Sequence, residues 1–114
     1  MTKAPQALLG ELRNLLGDRL STNPSIREQH GRGEGHHDPM PPDAVAFVQD
    51  TGEVAAIVAA CAARSVPVIA VGAGTSLEGH VAAVRGGVAV DLNGMDHVLE
   101  VNADDLDCRV EAGV

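Results

Sequence analysis

The chain has 114 residues, enough for one small domain and too few for two full ones. Its 8 basic and 16 acidic side chains give a formal net charge of −8, which argues against a binder of nucleic-acid backbones or of an anionic membrane surface. Apolar residues make up 45%, but 17 are Ala, 15 are Val and Phe47 is the sole aromatic, so any core is built from small side chains and a ligand or further chain is expected to complete it.

In chain order, Leu8, Leu12, Leu15 and Leu16 fall at i, i+4, i+7 and i+8, one face of a helix within residues 5–20. Residues 21–43 hold four of the six prolines and three of the five histidines (His30, His36, His37), and irregular chain is expected there. AVAFV (44–48) reads as a buried strand. Thr51 is expected to cap a helix over 53–64, with Glu53 in its first turn and Val54, Ile57, Val58 and Cys61 on one face. PVIAV (67–71) and GVAVD (87–91) read as further strands, buried on both faces as in parallel sheets. HVLEV (97–101) and CRVEAGV (108–114) alternate, as in an antiparallel sheet with one wet face.

The expected fold class is α+β: a small three-stranded parallel sheet with flanking helices, leading into the first strands of an antiparallel sheet. The expected organisation is an N-terminal helix (1–20), an irregular His/Pro/Gly-rich segment (21–43), and the first part of a larger domain (44–114), truncated after Val114. No apolar run is long enough to span a bilayer, and the first residues match neither a signal nor a transit peptide. Cys61 and Cys108 lack CxxC spacing and read as buried thiols in a reducing cytoplasm.

The informative motif is VGAGTSLEG (71–79), following a buried strand. Gly72 and Gly74 permit positive φ and close backbone approach, successive amides can form an anion nest, and Thr75 and Ser76 add hydroxyl donors. A phosphate or pyrophosphate suits such a turn, and amides can hold it without Lys or Arg. A P-loop is excluded because no Lys follows Lys3, and the GxGxxG fingerprint fails at Leu77. The residues alone also permit a plain strand-to-strand turn.

Other candidates read as structural. His30, His36 and His37 with Glu34 and Asp38 are too loosely spaced for a metal and read as a solvated or substrate-facing loop. Asp38, Asp43 and Asp50 read as turn and cap residues, His80 and His97 as surface or turn residues, and Met95 as core. Neither cysteine reads as a nucleophile.

From PPDAV (41–45) to the final Val110-x-x-Gly113-Val114, the pattern resembles the start of the FAD-binding domain of vanillyl-alcohol-oxidase-type (PCMH-type) flavoenzymes. Within that family the pattern is most similar to the D-lactate dehydrogenase and glycolate oxidase branch, and the segment RxxHGxGExHHDPMPPDAV (27–45) resembles the cytochrome-linked D-lactate dehydrogenases. The resemblance implies non-covalent FAD and hydride transfer from C2 of a D-2-hydroxy acid to flavin N5, giving a 2-oxo acid. It implies that Val71, Gly72, Ala73, Gly74, Thr75 and Ser76 line the pyrophosphate, that Gly79 and His80 close the turn, and that Pro42 lies toward the adenine end. Val71 and Ala70 depart from the Arg or Phe and the Pro common in that family, so amides must suffice. The family's catalytic residues match nothing here. The isolated chain is therefore expected to be inactive, needing the rest of the enzyme or a second subunit. A non-catalytic nucleotide- or anion-binding module is the alternative.

Overall fold

The computed structural model describes residues 4–31, 40–73, 83 and 85–114. Helix α1 (Gln6–Leu16) leads through one 3-10 turn to a two-residue strand, β1 (Leu20–Ser21). Leu8, Leu12 and Leu16 recur every fourth residue, share a face and are buried. Leu15 steps off that stripe and is exposed, against expectation.

Helix α2 (Pro24–His30) occupies part of the segment expected to be irregular. Its start is specified locally. The Asn23 side chain accepts from the Ser25 and Ile26 amides, and Pro24 sits in the first turn, where no amide hydrogen is required.

Strand β2 (Ala44–Phe47), helix α3 (Thr51–Ala63), strand β3 (Val68–Val71) and strand β4 (Val88–Asp91) follow. Asp50, not Thr51, caps α3: its carboxylate accepts from the Glu53 amide at 2.8 Å. Ile57, Ala60 and Cys61 form the buried face of α3. Val58 lies about 100° round the helix from Ile57 and is exposed. Glu53 is further engaged by Arg19, whose guanidinium donates to both carboxylate oxygens at 2.7 and 2.5 Å and to the Phe47 carbonyl at 3.2 Å. These bonds fasten the end of β2 to the start of α3. The Arg19 hydrogen bond holds the Glu53 carboxyl below its usual pKa.

The four-stranded sheet has the order β1-β2-β4-β3, with β1 antiparallel to β2 and the other pairs parallel. The parallel three-stranded core is as expected, with β4 between β2 and β3. Strand β3 is an edge rather than buried on both faces: Val68 and Ala70 are exposed. Alternation along the strands divides the core. Ala44, Ala46, Val48, Val88 and Val90 pack beneath the α1 leucines, Ile57 and Cys61, while Val45, Ala89 and Val71 pack on the opposite face with Ile26, Phe47 and Ile69.

Because β3 and β4 are parallel neighbours, Gly72 and Gly87 lie at opposite ends of the sheet. The return is fixed at Gly87, which exchanges hydrogen bonds with Asp43. The Asp43 carboxylate accepts from the Gly87 amide at 2.8 Å and from the Ala4 amide at 3.0 Å. Gly87 has φ +103°, and a Cβ there would collide with the Pro67 carbonyl, so the position demands glycine.

Strands β5 (Val98–Asn102) and β6 (Asp107–Val110) form a separate two-stranded antiparallel sheet. The antiparallel pairing is as expected, but both faces are open among the described residues, with Val98, Leu99, Val101 and Leu106 exposed. Cys108 is exposed as well, not buried, whereas Cys61 is fully buried and its thiol pKa is raised by that burial. The sheet is tied back by the Gly113 amide, which donates to the Met95 carbonyl at 2.9 Å, and Met95 is a core residue as expected. His97 is exposed and pairs with Glu111, whose hydrogen bond raises the imidazole pKa.

Candidate functional site

Open parallel sheets present ligands at the carboxyl ends of their strands. Here that end is one rung, Phe47–Asp91–Val71, with the three residues aligned across β2, β4 and β3. Alternation directs all three toward the face that carries Ile26 of α2. Immediately beyond Val71, Gly72 and Ala73 are exposed.

Asp91 is the buried charge of this rung, 7% exposed. Its Oδ2 lies 2.7 Å from His30 Nε2. His30 Nδ1 lies 2.8 Å from the Ile26 carbonyl, and because a carbonyl only accepts, Nδ1 carries a hydrogen. The Nε2–Oδ2 contact ties the imidazole to the carboxylate. Phe47 meets the His30 ring edge-on at 5.5 Å, completing an apolar wall. The other carboxylate oxygen, Oδ1, accepts from the Asn93 amide at 2.9 Å and from Asn93 Nδ2 at 3.0 Å. Asn93 Nδ2 also donates to the Gly72 carbonyl at 2.9 Å. A continuous chain of bonds therefore runs from α2 through His30, Asp91 and Asn93 to the point where the chain leaves β3.

Gly72 is the position at which to test whether a large anionic cofactor fits. Among the described residues no atom lies within 4 Å of the place its Cβ would occupy, so none of their side chains stands between this backbone and a ligand. The Leu92 amide already donates to the Val71 carbonyl at 2.9 Å, which fixes the strand end on which the turn is mounted. An exposed Gly-Ala pair at the carboxyl ends of parallel strands, with no described side chain against Gly72, fits the pyrophosphate of a dinucleotide.

The sequence-derived site residues separate into three groups. Val71, Gly72 and Ala73 lie together at this edge. Pro42 does not join them: it is fully buried, precedes the amino end of β2, and its carbonyl accepts from Arg27 Nε at 2.8 Å. Gly74, Thr75, Ser76, Gly79 and His80 lie outside the described residues, as do Glu34, His36, His37 and Asp38. Among the described residues no group of three His, Cys, Asp or Glu is placed to hold a metal ion. A depression of about 410 Å³ between α1 and α2, lined in part by Gln6, Arg13, Arg27 and Asp43, lies beside the amino end of β2 and not at this edge.

His30 is thus not a solvated loop residue, and Asp91 and Asn93 escaped the sequence reading. A signal was present. Asp91 ends an apolar run in phase with Ala89, and the Asn23-Pro24 pair marks the start of the helix that delivers His30.

The FAD binding domain family matches residues 42–114, which is 73 of the 114 residues. The chain belongs to that family. Its cofactor is FAD, and the resemblance noted from the motifs is to this family's enzymes. The chain is 40% identical over 114 residues to a probable mitochondrial D-lactate dehydrogenase of Danio rerio, covering 99% of this chain and 23% of the relative. It is 34% identical to the mitochondrial cytochrome D-lactate dehydrogenase of Arabidopsis thaliana, covering 98% of this chain and 20% of the relative. The chain therefore spans about a fifth of the length of the curated relatives it matches. Among solved structures it is similar to alkyldihydroxyacetonephosphate synthase, with a TM-score of 0.84 at 23% identity over 98% of this chain and 25% of that one. It is also similar to p-cresol methylhydroxylase, with a TM-score of 0.81 at 19% identity over 95% of this chain and 22% of that one. These two likenesses establish the fold. No helix among the described residues is long and apolar enough to cross a membrane.

Proposed function

We propose that this chain is the FAD-binding portion of an FAD-linked oxidoreductase that converts a D-2-hydroxy acid, of the D-lactate class, to the 2-oxo acid. The observation that carries the reading is the open Gly72–Ala73 edge at the carboxyl ends of parallel strands, in a chain 40% identical to a D-lactate dehydrogenase. FAD supplies the hydride acceptor, flavin N5. The chain's own part is to bind and orient. Val71 ends the supporting strand, and Gly72, Ala73, Gly74, Thr75 and Ser76 line the pyrophosphate with amides and hydroxyls. Gly79 and His80 close the turn. Pro42, with its ring buried, acts toward the adenine side only by shaping the backbone at the entry to β2. No residue of the chain is assigned a catalytic role. Turnover is assigned to the remainder of the enzyme or a second subunit. A cytoplasmic location is part of the proposal, resting on two unpaired cysteines, and because the relatives named above are mitochondrial, cell fractionation is its test.

The experiment is a segment exchange. This chain replaces the matching 114 residues of the Danio rerio relative, and the flavin of the chimera is followed anaerobically on adding D-lactate or L-lactate. Bleaching by D-lactate, with none from the isolated FAD-loaded chain, supports the proposal. A chimera that holds FAD but is bleached by neither substrate overturns the substrate assignment in favour of a non-catalytic nucleotide module.

A further inference from the structure

An aspartate at an anion-binding edge needs explanation, because a bare carboxylate there repels the ligand. Asp91 is 7% exposed and belongs to the rung from which Gly72 departs. Its pairing resolves the difficulty. Both of its oxygens are engaged, Oδ2 by His30 Nε2 at 2.7 Å and Oδ1 by the Asn93 amide and Nδ2.

The remaining oxygen of Asp91 sets the orientation of Asn93. Oδ1 only accepts, so the Asn93 side chain must turn its Nδ2 toward it, and the same Nδ2 donates to the Gly72 carbonyl. The Gly72–Ala73 peptide is trans, so its N–H points opposite to its carbonyl. With the carbonyl held on Asn93, the Ala73 amide is directed away from it.

We propose that His30, Asp91 and Asn93 form a positioning relay that fixes the Gly72–Ala73 peptide and so presents the Ala73 amide to the cofactor phosphate. The relay sets flavin affinity from α2, a helix outside the Gly-rich turn, and none of its three residues is assigned by the motif. It rests on the reading of that turn as the FAD site. His30 is anchored by Ile26 and walled by Phe47, so the relay starts from packed structure.

The test compares the native chain with Asn93→Ala, His30→Phe, Asp91→Asn and Asp91→Leu. FAD affinity is measured by flavin fluorescence, and the Gly72 carbonyl and Ala73 amide shifts are measured by NMR without ligand. Asn93 is exposed, so Asn93→Ala is expected to keep the fold, move both shifts and weaken FAD roughly tenfold, the scale of one oriented hydrogen bond to a charged group. His30→Phe keeps an aromatic ring beside Phe47 but leaves the carboxylate unpaired, and is expected to weaken FAD at least as much. Asp91→Asn is the rescue: its oxygen can still accept from Asn93 while its amide donates to a neutral Nε2, so affinity and shifts stay near native. Asp91→Leu has similar volume and neither bond, and is expected to lose both. Native shifts and native FAD affinity in Asn93→Ala and His30→Phe overturn the relay. If the native chain itself binds no FAD, the reading of the turn fails, and the ligand-free shifts still decide the relay: moved in Asn93→Ala supports it, unmoved overturns it.

Discussion

Gly87→Ala and Gly72→Ala are the same chemical change at the two ends of one connection, and the structure assigns them opposite consequences. At Gly87 the backbone has φ +103° and a Cβ would collide with the Pro67 carbonyl, a backbone atom that cannot swing aside. Positive φ costs alanine about 1–2 kcal/mol, and the forced shift of β3 against β4 adds about 1–3 kcal/mol. The sum is about 3 kcal/mol. With an unfolding entropy of about 2.1 cal/mol/K per residue, a chain of this length loses about 4 °C per kcal/mol, so the midpoint falls by about 12 °C. At Gly72 no atom of the described residues lies within 4 Å of the added methyl, so stability stays within about 0.5 kcal/mol of native. The methyl instead stands where backbone and pyrophosphate would meet, and FAD binding weakens by about tenfold or more. Thermal unfolding of the apo chains and flavin titration of each give the two readouts. A Gly72→Ala variant as unstable as Gly87→Ala, or one that binds FAD like the native chain, refutes the reasoning.

Two further predictions follow from the charged and sulfur groups. The Glu53 carboxyl is held below its ordinary pKa of 4.5, chiefly by the Arg19 hydrogen bond, so its contribution is complete above about pH 4.5 and is lost as pH falls below it. Thermal midpoints of the native chain and Glu53→Gln should differ at pH 7 and converge as the pH falls progressively below 4.5, and a gap that does not narrow in acid contradicts the assignment. Cys108 is exposed and Cys61 is buried with its thiol pKa raised, so a thiol reagent should modify one cysteine quickly and the second only on unfolding, while equal rates contradict the core placement.

The parallel core was readable because AVAFV, PVIAV and GVAVD are short apolar runs bounded by turn residues, and because the Gly-rich segment follows one of them. The strand order was not, since insertion of β4 between β2 and β3 depends on long-range pairing that no local pattern encodes. Helix α2 was obscured by the prolines around it, although Asn23-Pro24 is a start signal. The Gly72–Ala73 edge was visible as a motif. Its support was not: His30 and Asp91 are 61 positions apart, and only the fold brings the imidazole to the carboxylate. The open faces of β5 and β6 were hidden by their alternation, which specifies a half-buried sheet without saying what covers it.

The central claim is that Gly72–Ala73 and the turn that follows hold FAD. The most direct test is titration of the purified chain with FAD, read by flavin fluorescence and by the thermal midpoint at each concentration. The account predicts saturable one-to-one binding and a midpoint that rises with free FAD, by the stabilisation that mass action gives a ligand bound only to the folded state. A folded chain whose midpoint does not move and whose flavin signal does not saturate contradicts it.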